Sequence, residues 1–196
     1  MKRIVMVFAA ALLALSSPAQ TQEHVIEFNK YFSGGLAGWK SIYGNFIRIN
    51  GVSTMYISED MLRMINKLPN IGIGGNNLDL TPFVKSLKLM YLIRVPAAPR
   101  IMVRYKSYSA TPMPDAEPLS NILYREMTTV ARDKKFKPFV EIKNDKDHIS
   151  IYAAIDGDIV TGMSLFVEKA GEAAFLAFEG ELPRKELEQV LKNVIE

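Results

Sequence analysis

A chain of 196 residues with 48% hydrophobic and 23% charged side chains has the composition of a folded globular protein, long enough for one sizeable core. Its 24 basic and 21 acidic side chains leave a net charge of +3, too small to argue for nucleic acid. The absence of cysteine excludes disulfides, and it excludes the lipid-carrying cysteine of a lipoprotein.

The first residues read as a targeting segment. Met1-Lys2-Arg3 is positive, Ile4 to Leu15 is apolar, and Ser17 and Ala19 give a small-residue exit. The apolar run is shorter than the roughly 20 residues of a membrane-spanning helix. A signal peptide over 1–19 is expected, with cleavage after Ala19 and one α+β domain over 20–196. The mature chain, without Lys2 and Arg3, is then close to neutral. The expected location is periplasmic or secreted. Arg94, Arg100 and Arg104 interrupt the richest later apolar region, so no transmembrane segment is expected in the mature chain.

Residues 20–51 are rich in glycine and aromatics and predict a short lead-in with weak helix. In "GVSTMYISEDMLRMI", residues 51–65, β-branched and aromatic residues over 52–57 give way to a helical spacing at 61, 62, 65 and 68. The pattern predicts a strand, Ser58 as N-cap, and a helix that stops before Pro69. The glycines and asparagines of 69–82 predict a mobile loop. A helical turn or two over 82–87 follows, then extended segments at 88–95 and 101–108. The clearest helix is 117–133, where Leu119, Ile122, Leu123, Met127, Val130 and Ala131 share a stripe.

Strands are predicted over 139–143, 147–155, 159–168 and 173–179, with Asp156-Gly157 as a type I′ hairpin turn. Pro183 is placed at the first position of a closing helix that buries Leu187, Val190, Leu191 and Val194. The fold class is α+β: a largely antiparallel sheet, with a C-terminal four-strand meander and helices packed on one face.

Motifs that carry chemistry are incomplete. "GGLAGWKS" (34–41) lacks the adjacent Gly-Lys of a phosphate loop and reads as a turn anchored by Trp39. "GIGGNN" (72–77) has Asn77 where a dinucleotide fingerprint needs glycine. Ser164 in "GMSLF" falls inside a strand, on the face opposite Met163 and Leu165, rather than at a nucleophile elbow. His24 and His148 have no second ligand at metal spacing, and His148 reads as a solvated hairpin end. Asn144, Asp145 and Asp147 could at most hold calcium weakly, without the twelve-residue loop pattern. The basic run 132–139 reads as cations at a helix C-terminus. No catalytic residue, metal or cofactor is expected.

"GVSTMYISEDMLRMI" and the stretch 139–190, from "FVEIKNDKDHISIY" to "LPRKELEQV", together resemble an exported Bacteroidetes-type family known as domain of unknown function 4252. The two stretches cover about a third of the chain, while 69–110 fits that pattern poorly. The resemblance implies an exported α+β domain with an envelope role, and it supplies no catalytic residues. The expected function is a non-enzymatic module that binds an envelope protein or component. The alternative is a small-ligand-binding protein or hydrolase with a dispersed site. The surfaces singled out are the 69–82 loop, with Asn76 and Asn77, and the basic face of Arg100, Arg104 and Lys106, because binding surfaces favour loops on rigid scaffolds.

Overall fold

The computed structural model describes residues 24–29, 38–65, 68, 71–73, 76–97, 101–106, 117–145 and 147–195. Strand β1 (His24–Asn29) and helix α1 (Trp39–Phe46) precede the strand–turn–helix unit, formed by β2 (Ser53–Ile57) and α2 (Glu59–Met64). Ser58 caps α2 as expected, its hydroxyl accepting from the Met61 N–H. Strands β3 (Ile71–Ile73) and β4 (Asn76–Leu78) are followed by a 3-10 turn at Thr81–Phe83 and by β5 (Leu87–Val95). β6 (Ile101–Lys106) and the two-residue β7 (Glu117–Pro118) lead into α3 (Leu119–Asp133). The meander β8 (Lys137–Lys143), β9 (Asp147–Asp156), β10 (Ile159–Lys169) and β11 (Glu172–Pro183) ends in α4 (Arg184–Ile195).

The main sheet has six strands in the order β2-β5-β11-β10-β9-β8, antiparallel throughout. The α+β class is therefore correct, and the meander gains β5 and β2 on its β11 side. A smaller sheet joins β1, parallel to β6, and β7.

The expectation of helices on one face is corrected. The central strands β5 and β11 are apolar at consecutive positions, and a strand's period of two sends those side chains both ways. Leu176 and Phe178 pack on one face with Leu62 of α2 and with Leu187 and Leu191 of α4. Phe175 and Phe166 pack on the other, with Trp39 and Phe46 of α1 and with Leu123 and Met127 of α3. Each of these large side chains stabilises the fold by roughly 1.5–3 kcal/mol through burial.

Three local expectations also change. The lead-in contributes core, because Trp39 and Phe46 are almost fully buried. The 69–82 loop contains a hairpin, with Ile71 opposite Leu78 and Ile73 opposite Asn76, and β4 packs against α4. The β9–β10 turn centres on Gly157 and Asp158, and only Gly157 has a positive φ, so a type I′ turn is not formed there. That pattern falls instead at Ala170-Gly171, both at positive φ, between β10 and β11.

Candidate functional site

The meander and α3 enclose a polar corner. Alternation along β8 to β10 turns Glu141, His148, Ser150 and Phe166 toward α3, while Ile149, Ile151 and Leu165 turn to the opposite core. Tyr124, on the flank of the α3 stripe, covers the group. Its ring lies 4.4 Å from His148 and 5.2 Å from Phe166, centroid to centroid.

Glu141 is the hub. Its Oε1 lies 2.8 Å from His148 Nε2 and accepts from the Tyr124 hydroxyl at 3.3 Å. Its Oε2 accepts from Ser150 Oγ at 2.5 Å. His148 is 8% exposed and Ser150 is fully buried, so the reading of His148 as a solvated hairpin end is overturned. Burial is the largest influence on the Glu141 carboxyl and pulls it up, but the hydrogen bonds from Ser150, His148 and Tyr124 together hold it below its ordinary value. Burial, then the Glu141 charge, push the Tyr124 phenol up to about 12.

A cleft of about 480 Å³ opens beside this group, with Tyr124, His148, Lys143, Asp145 and Glu168 on its walls. A second, of about 340 Å³, adjoins it at the start of α3 and shares Asn121, Glu168 and Gly171. These volumes suit small ligands. A serine nucleophile is poorly served here. Ser150 donates to a carboxylate, has no hydrogen bond to His148 among the described residues, and is sealed from any substrate. Ser164 is likewise fully buried, on the strand face expected for it.

Among the described residues no group of three His, Asp or Glu could hold a metal. At the position considered for calcium, Asn144 Oδ1 instead accepts from the Asp147 N–H at 2.8 Å and closes the β8–β9 turn. The basic run ends α3 in a Schellman motif. Lys135 takes a φ of 61°, the Phe136 N–H donates to the Ala131 carbonyl and the Lys135 N–H to that of Arg132.

The residues singled out as binding surfaces lie elsewhere. Asn76 and Asn77 are in β4 against α4, whereas Arg104 and Lys106 are in β6, which contacts α3 on the opposite side of the main sheet. Arg100 lies outside the described residues, as does the segment 1–19. The polar corner itself was missed. Its only sequence signal is the alternation that gives Glu141 and Ser150 one face, and nothing local shows that Tyr124 covers them.

No described helix is long and apolar enough to cross a membrane. Comparison with curated proteins and with solved structures gives no match. A match to the family described as Domain of unknown function (DUF4252) runs over residues 46–190 and takes in the 69–110 region that was expected to fit it poorly. The six-stranded sheet, α2, α3 and most of the polar corner's surroundings fall within that span, and the chain belongs to this family.

Proposed function

We propose that the chain is an exported envelope protein that binds an envelope component non-enzymatically, in the cleft beneath α3. The carrying observation is the Glu141–His148–Ser150 group, hydrogen-bonded under Tyr124 at the wall of a cleft of about 480 Å³. Such a group is rigid and polar, which suits recognition, while the burial of Ser150 argues against hydrolysis through that hydroxyl. Export is supported by the charge, apolar run and small residues of 1–19.

The test is capture of the tagged protein from native envelopes after mild crosslinking, comparing wild type with His148→Ala and Asn121→Ala. A component that co-purifies with wild type and is lost from both variants supports the cleft. Equal capture by all three overturns it.

A second reading, docking of a protein partner, is favoured by the β2 edge. Ile47, Tyr56, Met61 and Met64, each about half exposed or more, cluster along residues 47–64. β2 pairs only with β5 in the described sheet and has neither lysine nor proline. The opposite edge, β8, carries Lys137, Pro138, a bulge and Lys143, which discourage strand addition. Asn76, Asn77, Arg100, Arg104 and Lys106 stay candidate contacts of such a partner, and an alanine series through them with unchanged capture would remove them.

A further inference from the structure

We infer that the β2 edge is the seam of a two-fold dimer, in which β2 pairs antiparallel with β2 of a second copy and the two main sheets run on as one. The inference rests on the reading of this edge as a docking surface and names the occupant as the chain itself.

The charge pattern of the two edges separates them. An edge strand offers unpaired N–H and C=O groups to any strand that meets it, and another copy of the same edge is always among those strands. On β8, an antiparallel self-pairing centred on Val140 would set Lys137 opposite Lys143 on both sides of the axis, with Pro138 withholding a donor. That edge is blocked against its own kind. β2 has no such block, because Ser53–Ile57 holds neither charge nor proline. The same pairing centred on Met55 sets Met55 against Met55, Thr54 against Tyr56 and Ser53 against Ile57, so no like charges are opposed.

The surroundings of the edge say what the occupant must present. Tyr56 lies on the α1 face, opposite Tyr91 in the ladder and stacked on its ring with centroids 4.8 Å apart. It is 47% exposed, and the stacking already holds it, so ordering it in an interface costs little. Met61 and Met64 of α2 are 49% and 71% exposed and flank the other face. A strand added here must therefore bring apolar surface above and below itself. Rotation about a two-fold axis normal to the sheet keeps each face on its own side. A second copy then brings its Tyr56 to the aromatic face and its methionines to the methionine face. The chain's own edge supplies on both faces what the first edge leaves open.

The test is sedimentation velocity of the purified protein across about a hundredfold range of concentration, run on wild type, on Met61→Lys with Met64→Lys, and on two single-cysteine variants. Wild type is expected to dimerise. The lysine pair is expected to raise the dissociation constant at least about tenfold, since it puts charge into desolvated contacts, and to leave the urea midpoint in place. The chain has no cysteine of its own, so Met55→Cys is expected to lock the dimer by one disulfide under mild oxidation. Directly opposed residues of an antiparallel pair have Cα atoms about 4.5–5.5 Å apart, within disulfide reach. Val140→Cys, at the middle of β8, is expected to form none. Met55 packs partly on the core, and the lysine pair decides the matter where the cysteine there is not tolerated. A wild-type monomer throughout, or a dimer that the lysines do not weaken, overturns the inference. If wild type is monomeric and envelope capture is still lost in the lysine variant, self-pairing falls and the edge stays a docking surface for another protein. A monomer whose capture the lysines leave intact removes both.

Discussion

His148 Nε2 lies 2.8 Å from Glu141 Oε1, a contact between diagonal neighbours on adjacent strands, since Glu141 stands directly opposite Ser150 and Lys143 opposite His148. One carboxylate on an edge strand therefore ties two buried side chains of the next strand to the helix above. The Glu141 carboxyl lies below its ordinary value of 4.5 in the fold, so its stabilising effect is fully present above that pH and is lost as pH falls through the folded value. Wild-type stability should be level from this group between neutrality and pH 5 and drop further down. Glu141→Gln should be less stable at pH 7 and lack that part of the acid slope. Urea midpoints from pH 7 to pH 3 check it, and parallel slopes would refute it.

Tyr124 titrates in the opposite sense. With its phenol raised to about 12, the neutral form is favoured in the fold. That stability is complete below the ordinary value of 10 and is lost as pH rises through 12. Burial also raises the Tyr91 phenol, so phenolate absorbance should show a late-ionising component that is reduced, not abolished, in Tyr124→Phe. A curve unchanged by the substitution would place the late group elsewhere.

At the end of α3, Lys135 adopts a φ of 61° that a lysine holds against its Cβ. The Schellman motif fixes this geometry whatever the residue, so Lys135→Gly should stabilise by about 1 kcal/mol. The thermal midpoint should rise. A fall would mean that the lysine side chain contributes more than its backbone strain costs.

Element type was legible wherever one periodicity ran unbroken. The stripe from Leu119 to Ala131 predicts α3 to within two residues at its start, and the alternations of 139–179 predict four strands that exist. Two things were not legible. Whether apolar residues at consecutive positions, as in β11, belong to one covered face or two depends on which helices return to them, and that information lies in residues 39–46 and 119–133. Likewise Ile71 and Asn76 look like loop residues, because a hairpin of three-residue strands has no period to read and depends on packing against α4. The polar corner was hidden for the same reason. Its members come from α3, β8 and β9, and the spacing that joins them is in space only.

Trp39 tests the correction to the lead-in. It is the sole tryptophan of the chain, 2% exposed, with ring centroids 5.7 Å from both Phe136 and Phe175. Its emission should be that of a buried indole and should shift to the red in step with global unfolding. Trp39→Ala should cost about 3–5 kcal/mol. Trp39→Phe should cost clearly less, because the indole N–H it removes is buried without a partner. Emission typical of solvent in the native state would return residues 38–46 to the periphery.

The β2 edge separates the two binding readings. Met61 and Met64 sit three apart on α2, 49% and 71% exposed, so together they present apolar surface that adds nothing to the core. The double substitution Met61→Lys, Met64→Lys should therefore change stability by no more than about 0.5 kcal/mol. It leaves the cleft under α3 untouched, because α2 packs on the other face of the sheet. If a protein partner docks along this edge, capture should fall in the double variant and persist in Asn121→Ala, since charge replaces the desolvated apolar contacts on which such interfaces depend. If binding is confined to the cleft, the ranking reverses. Loss of capture in both variants, with the urea midpoints unchanged, would mean one partner large enough to wrap from the edge strand to the start of α3.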